Sequence, residues 1–188
     1  MVRESVWLDT TAKGLGVDNK TKTLCSFEFV KVGSFSVTES TLTRKHNGKD
    51  EELSLLLNLV DQRIRSIGES AYLLYADDEL MYVGEYSRNL ADRWLVNTNY
   101  VWHHKDIDIL AAIKRGRTVS MWLTTDPYLP LVNNQRMNVS KSIEQQVLKT
   151  YDIPWNKRGL LFKDKKWIEK NCIDFSSVYQ ALLDKETV

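Results

Sequence analysis

SAYLLYADDELMYVGEYSRNLADRW, residues 70–94, is the stretch on which the reading of the fold turns. AYLLY and LMYV are short apolar-aromatic runs joined by ADDE, a pattern that predicts a β-hairpin with an acidic turn. SRNLADRWLVN follows. Ser87 offers an N-cap, and Leu90, Trp94 and Leu95 form one apolar side, so the reading changes from strand to helix.

Downstream, HHKDIDILAAIKRG (103–116) predicts a helix stopped by Gly116, and TVSMWLTT (118–125) a strand. DPYLPLVNNQRMN (126–138) reads as a loop. SKSIEQQVLKTY (140–151) predicts a helix with Ile143, Val147 and Leu148 on one face, ended by Pro154. A last helix is expected near SSVYQALL, 176–183. Upstream, SFEFVKVGSFSVTES (26–40) alternates apolar and polar residues and predicts one or two strands broken at Gly33. GLGVDN (14–19) and HNGKD (46–50) are turn signals. DEELSLLLNLVDQRIRSIG (50–68) carries Leu53, Leu56, Leu57, Val60, Ile64 and Ile67 at helical spacing before Gly68, which predicts a helix.

These elements together predict an α/β (α+β) fold: a small antiparallel three-stranded sheet flanked by helices.

The bulk properties bound the function only loosely. The chain has 188 residues and is 43% hydrophobic, enough for one domain with a small appendage. Its 26 basic and 25 acidic residues leave a net charge of +1, so bulk charge lends no support to nucleic-acid binding. From Lys141 to Lys170, eight basic residues stand against four acidic ones, a local surplus that a solvated face would explain equally well. Cys25 and Cys172 form no disulfide framework and lack zinc-site spacing. The N-terminal residues lack the apolar core of a signal peptide, and no apolar run reaches the roughly 20 residues of a membrane span, so a cytoplasmic location and no membrane partner are expected.

The hairpin and helix of residues 70–94 resemble the core of the GIY-YIG nuclease superfamily. Tyr72, in Ser70-Ala71-Tyr72, matches the first tyrosine, Tyr82-Val83-Gly84 the second element, and Arg93 the helical arginine. A second match lies in IEQQVLKTYDIPWN. Glu144 sits on a late helix, followed about twelve residues on by Asn156 in a Pro154-Trp155-Asn156 exit, a layout similar to the incision subunit of bacterial nucleotide excision repair. The likeness covers roughly residues 69–160. It departs from the family at Ser70 and Ala71, in a spacing from Tyr82 to Arg93 that is one residue longer, at Glu85 in place of a lysine, histidine or serine, and at Asn97 in place of a histidine.

The resemblance implies a catalytic core at 69–160, with an N-terminal extension at 1–68 that would supply DNA recognition or dimerisation and a C-terminal tail at 161–188. It implies a metal-dependent DNA endonuclease with Mg²⁺ (or Mn²⁺) held by Glu144, because Mg²⁺ takes one or two carboxylates and keeps its waters. Arg93 would grip the scissile phosphate with two N–H groups. Tyr72 would be the general base and Tyr82 its relay, something being needed to favour a phenolate whose ordinary pKa is about 10. Asn156 would hold the site together. Arg88, Lys141, Lys157 and Arg158 are candidate DNA contacts. The size matches a type II restriction endonuclease cutting double-stranded DNA as a homodimer or higher oligomer. The alternatives are a phage, homing or repair nuclease of low specificity, or a catalytically silent DNA-binding module.

Taken singly, each residue has a plainer reading. The tyrosines could be sheet aromatics, Arg93 a partner of Asp92 or Asp77, and Glu144 a solvated charge. His103 and His104 read first as a polar cap, and neither they nor Glu85 are assigned a role.

Overall fold

Asn47 and Gly48 take positive φ of 50° and 78°, the backbone of a tight hairpin turn that asparagine and glycine tolerate best. This turn joins the two strands that set the architecture. The computed structural model describes residues 20–96, 98–124, 126–131 and 135–156. In chain order the strands are β1 (Thr21–Leu24), β2 (Phe27–His46), β3 (Lys49–Leu59), β4 (Gly68–Ala76) and β5 (Glu79–Asn89). Helix α1 (Leu90–Trp94), β6 (Leu95–Val96), β7 (Tyr100–Val101), α2 (Asp106–Lys114) and β8 (Val119–Thr124) follow. The short strands β9 (Tyr128–Pro130) and β10 (Arg136–Asn138), helix α3 (Ser140–Thr150) and a 3₁₀ turn at Pro154–Asn156 complete the described elements.

The protein is mostly β, and its main sheet is a curled antiparallel half-barrel. Eight strands form it in the order β5-β4-β8-β2-β3-β7-β6, with β1 paired to β2 off that path. The expected small three-stranded sheet flanked by helices is therefore wrong. The cause is the leucine-rich run at 50–68. It forms strand β3, then a short 3₁₀ turn at Gln62–Ser66. Leu53, Leu55 and Leu57 alternate into the core at 4%, 2% and 0% exposure, while Val60, which a helical stripe would bury, is 44% exposed. A run of adjacent leucines fits a period of 2 and one of 3.6 alike. The pairing of Phe35 with Leu57 and Val37 with Leu55 across the Asn47-Gly48 turn decides the matter.

Gly33 does not break β2, which runs on through it past a register shift between Lys31 and Gly33; a β-carbon there would meet the Asn58 carbonyl oxygen at 2.7 Å, so glycine serves close strand approach. The stretch 126–138 contains the β9–β10 hairpin rather than loop alone. Helix α1 is capped by Asn89, whose side chain accepts the Asp92 N–H, rather than by Ser87. It lasts only five residues before Leu95–Val96 turns into β6.

The hairpin of β4 and β5, strand β8 and helices α2 and α3 lie where the residue pattern puts them. Asp77, at φ 53°, makes the β4–β5 turn. Strand β4 is buried on both faces. Tyr72, Leu74 and Ala76 join one cluster with Trp94, Ile109 and Met121. Ala71, Leu73 and Tyr75 join another with Ile143 and Val147 of α3. Leu148, expected on the apolar face of α3, is 40% exposed. The predicted helix near 176–183, Cys172, Lys157, Arg158 and Asn97 lie outside the described residues.

Candidate active site

Tyr72 on β4 faces Gly84 on β5 across the sheet. A β-carbon at position 84 would fall 2.5 Å from the Tyr72 hydroxyl and 2.9 Å from the Tyr82 ring. Glycine is thus required here because the Tyr72 phenol lies across the neighbouring strand. Tyr82, two residues earlier on the same face, brings its ring centroid within 5.9 Å of the Tyr72 ring. Trp94, the last residue of α1, meets Tyr72 edge-on at 5.3 Å.

The turn preceding α2 adds two side chains for which the sequence offered no role. His103 is 6% exposed and stacks on Trp94 at 3.7 Å with an interplanar angle of 11°. Its Nε2 lies 3.2 Å from the Tyr72 hydroxyl. His104 Nε2 lies 3.3 Å from the Tyr82 hydroxyl. Adjacent histidines ahead of a helix carry little signal by themselves; only the curl of the sheet, which brings this turn against β4 and β5, assigns each one a tyrosine.

Arg93 projects from α1 toward both phenols and lowers the pKa of each. The surface pairs open to it by sequence are occupied by others: Asp77 binds Arg117, and Asp92 accepts from Asn89. Burial pushes the Tyr72 phenol well above its ordinary range, Tyr82 adds to this, and Arg93 opposes it. Burial also raises Tyr82, but there the Tyr72 hydroxyl and Arg93 pull it back, while Glu144 pushes it up.

Glu144 sits on α3, one residue after the buried Ile143 that anchors the helix to the sheet. Burial raises its carboxyl, the Glu85 charge raises it further, and Arg93 and Lys141 lower it. Glu85 on β5 thus belongs to the site's charge balance. Arg88 and Lys141 are exposed on β5 and α3. Asn156 accepts the Val83 N–H at 2.8 Å and donates to the Val83 carbonyl at 2.8 Å. It therefore supplies to the free edge of β5 the two bonds that a neighbouring strand would make.

Among the described residues no group of three histidine, cysteine, aspartate or glutamate side chains is placed to hold a metal. The donor chemistry still fits Mg²⁺. The Glu85 charge raises the Glu144 carboxyl, a divalent cation would relieve that repulsion, and Mg²⁺ needs only one or two carboxylates with its waters. The arrangement as a whole joins a guanidinium, two coupled phenols and a half-buried carboxylate. Comparison with family models, curated proteins and solved structures returned no match.

Proposed function

We propose that this chain is a metal-dependent endonuclease of the GIY-YIG type, hydrolysing phosphodiester bonds of double-stranded DNA. The observation that carries the reading is convergence. Tyr72, Tyr82, Arg93 and Glu144, the residues the family resemblance picks out, come from two strands and two helices, and their phenol and charged groups act on one another. Asn156 ties the 3₁₀ turn after α3 to the strand that carries Tyr82.

The geometry favours exchanging the roles expected for the two tyrosines. Tyr72 is fully buried and its ionisation is the more strongly opposed. Tyr82 is also raised, by burial first and by the Glu144 charge, but the Tyr72 hydroxyl and Arg93 both oppose that rise. Tyr82 is then the base that takes the proton of the attacking water, and Tyr72 supports it. Arg93, at the solvent edge, holds the phosphate through its planar fork. Mg²⁺, held by Glu144, would supply charge stabilisation at the phosphate and the leaving oxygen. Arg88 and Lys141 would contact the DNA backbone, as would Lys157 and Arg158 of the residues beyond 156. Within such a family we read it as a type II restriction endonuclease acting as a homodimer.

The test is a cleavage assay on an unmodified bacteriophage genome with Mg²⁺ or EDTA, beside Glu144→Ala. Discrete fragments that need both Mg²⁺ and Glu144 support a site-specific nuclease; a smear with the same dependence supports a nuclease of low specificity. DNA binding without cleavage would leave a silent binding module, a reading that Glu85 favours, since an acidic side chain beside a bound phosphate is repulsive. Neither binding nor cleavage would end the proposal.

A further inference from the structure

Toward the Asn47-Gly48 turn, β2 and β3 leave the rest of the sheet. Among the described residues β8 pairs β2 no further than Ser34, and β7 meets β3 only at Leu56. Beyond those points the two strands pair with one another and form an arm. Between the Val37–Leu55 and Leu42–Leu53 pairs, β2 places Thr38, Glu39, Ser40 and Thr41 opposite Ser54 of β3. Extra residues on one strand bend it. Tyr100 of β7 holds the bend: its hydroxyl lies 3.0 Å from the Ser40 hydroxyl and donates to the Ser40 carbonyl at 3.4 Å. Past the bend, Arg44 and His46 share the face of the arm on which Leu53 is buried. The Arg44 guanidinium stands 5.1 Å from the centre of the Trp102 ring, and the His46 ring 5.0 Å from it.

Trp102 donates its backbone N–H to the Trp94 carbonyl at 2.7 Å, and Trp94 is the ring on which His103 stacks. The arm therefore grips Tyr100 at its bend and Trp102 at its tip, and the next two residues are those that meet Tyr72 and Tyr82. The arm offers no surplus of charge to a nucleic acid, since Arg44 lies opposite Glu51 and Lys45 opposite Asp50. We propose that the β2–β3 arm is a strap: Arg44 and His46 are positioning residues that, by holding Trp102, set the turn that presents His103 to Tyr72 and His104 to Tyr82. Arg44 is half-buried and His46 exposed, so their loss should free the turn without unfolding the sheet. Lys45, exposed on the opposite face of the arm, is the control.

NMR of the full chain, without metal or DNA, tests this. The chain holds three histidines, so replacing His46 leaves two sets of ring signals. In the wild type the face of Trp94 should shift the His103 ring protons upfield. In Arg44→Ala/His46→Ala those signals should move toward their unstructured positions. The Trp102 and Asp106 amides, bonded to the Trp94 and His103 carbonyls, should exchange about tenfold faster, as expected for the loss of a cation–π contact and a ring contact. Amides of the β4–β8 pair should keep their rates, whereas general destabilisation would speed all of them together. Arg44→Lys/His46→Phe keeps a cation and a ring against Trp102 and should restore both signatures; Lys45→Ala should alter neither. Unmoved His103 signals and unmoved exchange at Trp102 and Asp106 in the folded double alanine variant overturn the proposal, as does an equal response to Lys45→Ala. None of these readings needs catalysis, so they decide the strap whether or not the nuclease reading holds.

Discussion

A methyl group at position 84 would fall 2.5 Å from the Tyr72 hydroxyl, and the strand pairing that places it there leaves little room to move. Gly84→Ala should therefore displace the Tyr72 ring, lowering stability by about 1–3 kcal/mol and cleavage by orders of magnitude. Urea unfolding and single-turnover rates check the two effects. On the proposed nuclease reading, Arg93→Lys should be nearly as damaging to cleavage as Arg93→Ala, because an ammonium would not reproduce a two-pronged grip on phosphate; a lysine variant of near-normal rate would reduce Arg93 to simple charge. His103 carries a pH signature in stability. Its folded pKa is held well below the ordinary 6.5 by burial first and by neighbouring cations second. The unfolded chain therefore takes up a proton that the folded one refuses, and stability should fall as pH drops through about 6.5, by up to about 1.4 kcal/mol per pH unit. Melting temperatures measured across that range should slope less in His103→Gln than in the wild type. At this scale the sequence was informative about local turns, as at Asn47-Gly48. It was silent on His103, whose role depends on a contact with a residue 31 positions away.

The elements turn on what a strand or helix has to pack against. Leu55 is 2% exposed and Val60 44%, whereas a helix over 50–68 has Val60 on its apolar stripe and Leu55 off it. Leu55→Ala should cost about 2–5 kcal/mol and Val60→Ala close to nothing, both read by chemical unfolding; the opposite ranking would restore the helix. Asn156→Ala would leave the N–H and carbonyl of Val83 without their present partners. It should lower stability by about 1–3 kcal/mol and loosen the edge that holds Tyr82. Among the elements, the β4–β5 hairpin and α3 were legible because their period is unambiguous over their length. Strand β3 was not, because three consecutive leucines satisfy both periods.

At the scale of the whole molecule, the site depends on the curl of the sheet. Strand β5 is one edge, and the β6–β7 pair ends the other. Helix α1 follows directly on β5 and leads into β6. Arg93 and both histidines thus approach the tyrosines along one continuous path. Ion binding should report on this assembly. Glu144 is held above its ordinary value of 4.5 by burial and by Glu85. Its charge therefore opposes folding once pH rises above that value, and Glu144→Gln should raise the melting temperature of metal-free protein near neutrality, with the difference vanishing in acid. Mg²⁺ should raise the melting temperature of the wild type and leave that of the Gln variant unchanged; an equal response in both would remove Glu144 from the metal.

The sequence by itself determined the β4–β5 hairpin and the helices α2 and α3, because local period and turn residues are properties of short segments; the set Tyr72, Tyr82, Arg93, Glu144 and Asn156 came from a family resemblance and stands as a proposal. Only the tertiary structure decided that 50–59 is a strand, that the sheet has eight strands rather than three, and that two histidines contact the tyrosines. Each of these rests on pairing or packing between distant segments, where burial against a partner overrides a local preference that is itself worth only fractions of a kcal/mol per residue.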